Sequence, residues 1–141
     1  VAFGNQSQQL QNMLPFKVYP LDFVSNEHQL VDIYNAVDLF VTSSLEENLP
    51  NTIMEAMSCG VPCVGFNTGG IPEMIDHLHN GYVAQRKSAE DLANGIHWIL
   101  TEPEYAELSA QACRKAIGNY SESIIAKKYT DVYNKITGKY A

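Results

Sequence analysis

Between Lys17 and Arg86 the chain carries no lysine or arginine. Over its whole length 9 basic residues face 16 acidic ones, a net charge of −7. Nucleic-acid binding depends on clustered cations that displace counterions, so this balance argues against a nucleic-acid surface. No apolar run approaches the roughly 20 residues that span a bilayer. Val1 to Gly4 is a short apolar piece without a basic lead-in, and no signal peptide is expected there. Cysteine is scarce and odd in number: Cys59, Cys63 and Cys113 lie on apolar or helical stretches. Buried, reduced thiols are the expected reading, rather than a disulfide or a metal site, and they suggest a reducing compartment. The sequons Asn5-Gln6-Ser7 and Asn119-Tyr120-Ser121 need a secretory route to matter and are discounted. The dinucleotide fingerprint G-x-G-x-x-G is missing, which disfavours an oxidoreductase of that kind.

What is present is an ordinary globular composition. With 141 residues, 45% of them hydrophobic, the chain can bury one core and reads as a single domain. Short apolar runs alternate with amphipathic stretches, the pattern of a doubly wound, Rossmann-like α/β parallel sheet. Val1 to Phe3 reads as the tail of a strand cut short by Gly4-Asn5. Gln6 to Leu14 suits a short helix with apolar points at Leu10, Met13 and Leu14, and Phe16 to Tyr19 alternates as a strand. A loop from Leu21 to Ser25 follows, then a helix capped by Asn26 with Gln29 at its third position. Leu30, Ile33, Tyr34 and Val37 form the apolar face of that helix.

Further on, Gly60 suits a left-handed helix stop, and Val61 to Phe66 a strand covered on both faces. Gly69-Gly70 before Pro72 reads either as a close approach to a ligand or as a tight turn only. Glu73 falls in the first turn of a short helix ending near Asp76. His77 and His79 alternate in a polar loop without a third ligand, so solvated histidines are the default and no metal is expected. Gly81 to Ala84 reads as a last short strand. Ser88 caps a helix with Asp91 at its third position and a buried face of Leu92, Ile96, Ile99 and Leu100. Trp98, on a neighbouring face, reads as packing. Pro103 opens a helix stopped by Gly118, and Ser121 opens the last one, with a stripe of Ile125, Tyr129, Val132, Tyr133 and Ile136.

The chemistry concentrates in Ser43 to Met57. Asp38 to Thr42 reads as an apolar strand, followed by a polar turn and a helix with Pro50 at its first position. The amides of Asn51, Thr52 and Ile53 would then lie unpaired at a positive helix end, a seat for a phosphate or an oxyanion. Glu47 in the turn and Glu55 one helical turn inside bracket that seat. Taken singly, Glu46, Glu47 and Glu55 are ordinary solvated or capping residues. As a pair beside a phosphate seat, two carboxylates would repel phosphate but accept hydroxyl groups. A ligand with phosphate in the middle and hydroxyl-rich rings at both ends, such as a nucleotide sugar, meets that arrangement.

The run S-x-x-E-x7-E-A-M-x-x-G-x-P, then G-G-x-P-E and N-G, resembles the signature of the retaining GT-B glycosyltransferases of group 1. Ser44, Glu47, Glu55, Ala56, Met57, Gly60, Pro62, Val64, Gly69, Gly70, Pro72, Glu73, Asn80 and Gly81 fall on its positions. The resemblance implies the C-terminal, donor-binding half-domain of a two-domain GT-B enzyme. By that resemblance Glu55 binds the ribose hydroxyls and Glu47, the catalytic candidate, lies against the donor sugar. The backbone of Asn48, Leu49, Pro50 and Asn51, with Thr52, approaches sugar and diphosphate. Val24 lies near the base, although Phe23 and Val24 read equally well as core. Many members have glycines where this chain has Asn48 and Pro50. The implied reaction moves a hexose from a nucleoside-diphosphate sugar, the substrate, to a sugar or glycolipid acceptor hydroxyl, without a metal or other cofactor.

The resemblance also bears on the missing cations. In that family an Arg and Lys pair clamps the diphosphate from early in the domain, ahead of the strand that opens here at Val1. The chain is therefore expected to be a fragment without the first elements of its domain and without the N-terminal acceptor domain. In GT-B enzymes the final helix crosses back to that partner, so part of its apolar stripe is expected to lie bare. A cytoplasmic setting, with peripheral membrane association in the full-length protein, is the family's common one. Two other readings stay open: a nucleotide-binding module without transfer activity, and another GT-B enzyme such as an epimerase or a phosphorylase.

Overall fold

The computed structural model describes residues 1–3, 7–21 and 23–138. The expected strand stop at Gly4-Asn5, the helix start at Gln6, the first sequon and Asp22 in the loop fall outside the described residues or depend on them. By contacts the chain divides into two units, Val1–Val37 and Asp38–Ala141.

In the first unit β1 (Ala2–Phe3) and β2 (Pro20–Leu21) pair in parallel, joined through α1 (Ser7–Met13). The Ala2 N–H donates to the Tyr19 carbonyl at 3.0 Å, so Tyr19 borders the ladder. The strand expected over Phe16 to Tyr19 is therefore displaced to Pro20–Leu21. Alternation alone gives Phe16 to Tyr19 no ladder; only the residues opposite the short β1 find one, and proline is tolerated beside so short an edge. Leu10, Met13 and Leu14, expected as the apolar face of α1, are exposed. Helix α2 (Glu27–Asn35) starts as its sequence dictates, with the Gln29 amide donating to Asn26 Oδ1 at 3.2 Å.

The second unit holds a parallel sheet of β3 (Phe40–Thr42), β4 (Cys63–Phe66) and β5 (Gly81–Ala84), in that order. All four residues of β4 are buried, because both of its faces are covered. On one face Cys63 Sγ lies 3.9 Å from the Ile53 carbonyl of α3 (Asn51–Ser58), and Gly65 lies against Ile71 of α4 (Ile71–Met74). On the other, Val64 packs with Ile99 of α5 (Ala89–Thr101) and Leu108 of α6 (Tyr105–Tyr120). Leu39, Tyr82, Leu92, Ile96, Trp98 and Tyr105 surround that cluster, so Trp98 is packing as read. Alternate side chains of one strand thus meet helices on opposite faces, the doubly wound arrangement. Leu100, expected on the buried face of α5, is exposed; one residue past buried Ile99 is a turn of about 100° around a helix.

Helix α3 ends in a Schellman motif. Gly60, at φ +76°, donates to the Met57 carbonyl at 2.9 Å, and Val61 donates to that of Ala56 at 2.9 Å. Ser109 Oγ on α6 then donates to the Gly60 carbonyl at 2.6 Å and pins that end. Several expected boundaries move: the helix expected to open at Pro103 starts at Tyr105, and the strands expected from Asp38 and Val61 start at Phe40 and Cys63. Helix α4 ends at Met74 rather than Asp76, and Gly118 lies inside α6 instead of stopping it. Tyr120 extends α6 because its hydroxyl reaches the Glu73 carbonyl at 3.3 Å, while Ala112 and Ala116 bury the preceding turns. That tertiary anchoring outweighs a glycine penalty of about 1 kcal/mol. Helix α7 (Glu122–Thr137) closes on Gly138 in the left-handed conformation. Its stripe of Tyr129, Val132, Tyr133 and Ile136 is exposed. Among the described residues no helix is long and apolar enough to cross a membrane.

Candidate functional site

In a parallel sheet the carboxyl ends of all strands meet at one edge, and ligands bind just beyond it. Here three loops leave that edge: 43–50 after β3, 67–70 after β4 and 85–88 after β5. They are tied to one another. The Asn67 N–H donates to the Ala84 carbonyl at 2.7 Å, and the Gly70 N–H donates to the Asn48 carbonyl at 2.5 Å. The Leu45 carbonyl accepts from Thr68 Oγ1 at 3.1 Å and from Arg86 Nε and Nη2 at 3.2 and 3.0 Å. The loop that carries Glu47 is therefore fixed at both its start and its middle.

This geometry answers the question left open at Gly69-Gly70. Gly69 sits at φ +52°, and a Cβ on it would fall on the Glu47 carbonyl oxygen; one on Gly70 would fall on that of Asn48. What approaches these two glycines so closely is the backbone of the Glu47 loop. The second turn acts on the site by seating the first.

Pro50 is the N-cap of α3, in an extended conformation, and not the first helical residue. Its carbonyl accepts from the Ile53 amide at 3.1 Å. Of the three amides expected to lie open there, two remain, those of Asn51 and Thr52, which have no acceptor within the helix. Glu55 follows Asn51 by four residues and Thr52 by three, so the three share one helix face. Ile53, Ala56 and Met57 take the buried face, leaving Asn51 exposed with Thr52 and Glu55 half-buried. The helix therefore brings one carboxylate and two amides together on a solvent-facing side. Glu47 is half-buried in the preceding loop, Asn48 and Leu49 are exposed, and Pro50 is buried. Val24 belongs to the first unit, apart from the unit that holds the others, and is half-buried; Phe23 beside it is exposed, against the core reading.

The third loop is held by a carboxylate. Asp91 accepts from the Gln85 N–H at 2.6 Å and the Tyr82 hydroxyl at 2.8 Å, while its own N–H donates to the Ser88 cap at 3.1 Å. The Gln85 amide first, and then the Tyr82 hydroxyl, hold the Asp91 carboxyl below the usual carboxylate range. The same bond raises the Tyr82 phenol. Arg86 is thereby presented from a turn whose preceding residue and following cap are both fixed. Sequence reading used Arg86 only as the end of a cation-free stretch and missed its contact with Leu45. The signal available was that first cation, directly after a predicted strand.

His77 is exposed, and its Nδ1 accepts from the Val83 N–H at 3.1 Å. Among the described residues no three His, Cys, Asp or Glu side chains are placed to hold a metal ion. A cavity of about 180 Å³ between the His79 loop, the end of α5 and the start of α6 shares no residue with the site.

The family model described as "Glycosyl transferases group 1" matches residues 5–117. Over 114 residues the chain is 28% identical to N-acetyl-alpha-D-glucosaminyl L-malate synthase of Bacillus anthracis, covering 79% of this chain and 30% of that protein. In structure it is similar to sucrose-phosphate synthase from Thermosynechococcus elongatus, with a TM-score of 0.81, 22% identity, and 96% and 34% of the two chains covered. It is also similar to Anabaena Alr3699/HepE, solved in complex with UDP-glucose, with a TM-score of 0.76, 26% identity, and 91% and 35% covered. The chain thus spans about a third of the length of these proteins.

Proposed function

The chain belongs to the glycosyl transferases of group 1, and on that premise we propose that it is the donor-binding part of a retaining glycosyltransferase. The reaction would move a hexose from a nucleoside diphosphate to an acceptor hydroxyl on a sugar or glycolipid. The bond from the sugar's anomeric carbon to the diphosphate breaks, and the acceptor oxygen takes its place. In this reading Glu55 accepts from the ribose hydroxyls, and the amides of Asn51 and Thr52 face the diphosphate. Glu47 orients the sugar, and the Asn48–Asn51 backbone lines it. The protein's contribution is to hold the donor and to stabilise the departing charge with fixed dipoles, which need no rearrangement as the bond breaks. No metal or other cofactor takes part. Neither glutamate has a nucleophile's role, so the paired-carboxylate chemistry of glycoside hydrolases is not assigned.

One observation carries the reading: the Asn51 and Thr52 amides, which have no acceptor within α3, lie with Glu55 on its solvent-facing side, behind a Glu47 loop tied at Leu45 and Asn48. The solved complex of a relative with UDP-glucose supports the ligand class. Three free thiols suit a cytoplasmic setting, with peripheral attachment to a membrane in the full-length protein. A partner domain would bring the acceptor. A charge-assisted amide bond is worth about 1.5–3 kcal/mol, whereas association costs at least about 4 kcal/mol. Two such bonds and a ribose contact therefore leave this chain a weak binder by itself, with a Kd on the order of 1 mM or weaker. Titration of the chain with UDP, read by amide chemical shifts, tests the reading; shifts confined to residues outside α3 and its preceding loop would refute it.

A further inference from the structure

The cation-free stretch ends on a residue that reaches back across it. Arg86 directs both Nε and Nη2 at the single carbonyl oxygen of Leu45, 41 residues earlier and two before Glu47. A guanidinium holds its N–H groups in a rigid planar fork, so two donors on one acceptor fix direction as well as distance. The fork stands on firm ground, because Asp91 holds the Gln85 N–H and the Ser88 N–H donates to the Gln85 carbonyl at 3.0 Å. Thr68 donates to the same oxygen from the loop after β4. By contrast, the amides of Asn51 and Thr52 and the carboxylate of Glu55 are positioned by α3 itself, whose Ile53, Ala56 and Met57 are buried. The two halves of the site therefore have separate supports: a helix for the nucleotide, and a clamped carbonyl for the loop that meets the sugar.

We infer that Arg86 is a positioning residue for the donor sugar, acting through Leu45 to set the Glu47 loop. The inference rests on the functional reading above. It assigns Arg86 a role in recognising the sugar and none in gripping the nucleotide. Arg86 is exposed, so its replacement leaves the core intact.

The test compares Arg86→Ala and Arg86→Lys with the parent chain in two measurements. The first is amide hydrogen exchange over residues 45–49 without ligand. It is expected to speed up severalfold in Arg86→Ala and to recover only in part in Arg86→Lys, which keeps the charge but not the fork. The second is the affinity for UDP and for UDP-glucose. UDP affinity is expected to stay within about twofold, whereas UDP-glucose affinity drops severalfold, toward that of UDP. Unchanged exchange in Arg86→Ala would overturn the inference. So would equal losses for both ligands, which would make Arg86 a phosphate clamp. A parent chain that binds neither ligand would instead bring down the functional reading and the inference with it, whatever the variants do.

Discussion

The Gly70 amide donates to the Asn48 carbonyl at 2.5 Å, joining the turn before α4 to the loop before α3. Two strand–turn–helix units that are separate in sequence thereby form one rigid rim. Gly70 is also the N-cap of the four-residue α4, which holds Pro72 and Glu73.

Replacing Gly69 should be far more damaging than its exposed position suggests. A side chain there must adopt a positive φ and displace the Glu47 carbonyl. Left-handed strain costs about 1–3 kcal/mol, and overpacking a similar amount. Gly69→Ala is expected to lose at least about 2 kcal/mol in urea unfolding. Gly118→Ala, where a Cβ meets nothing within 4 Å, is expected to stabilise by up to about 1 kcal/mol.

The Asp91 network makes stability depend on pH in a stated direction. Its carboxyl is held below the ordinary range in the folded chain, so its contribution is complete above the unfolded value of about 3.9 and is lost as pH falls through the folded one. Urea midpoints of the parent and Asp91→Asn should differ at pH 7 and converge as the pH is lowered below about 4. A gap that persists at acid pH would show that the network acts by packing alone.

Thiol reactivity should separate the three free cysteines. Burial pushes the Cys63 thiol far above its ordinary value, and the residue is shielded from solvent. A disulfide reagent is expected to label Cys59 and Cys113 in the folded chain and Cys63 only after unfolding. Cys59 should react slowly for a surface thiol, because burial, then the Cys113 and Glu55 charges, raise it as well.

The apolar stripe of α7 should contribute little to this chain's own stability. Tyr133 and Ile136 are 63% and 77% exposed. Ile136→Ser is expected to shift urea unfolding by no more than about 0.5 kcal/mol, the range for surface positions.

Much of this fold was legible because its rules are local. The caps at Asn26 and Ser88, the stop at Gly60 and the strand Gly81–Ala84 each follow from residues within one helical turn or one strand. The mouth of α3 was legible for the same reason, short of the bond that Pro50 takes from Ile53. The support of the site was not. Thr68 and Arg86 meet the Leu45 carbonyl from 23 and 41 residues away, and no spacing rule reports such a contact. Gly118 misled for a related reason: its propensity is local, but Tyr120 is anchored from a distant turn. The strand expected at Phe16 to Tyr19 had the right alternation, but the ladder lies at Pro20 and Leu21.

The most direct test of the central claim is a titration of the isotope-labelled chain with UDP, repeated on Glu55→Ala. The account predicts chemical-shift changes at Asn51, Thr52 and Glu55, an affinity on the order of 1 mM or weaker, and at least about a tenfold loss in the mutant, as for a lost hydrogen bond to a charged group. Equal affinity in the two proteins, or shifts that spare the mouth of α3, would contradict it.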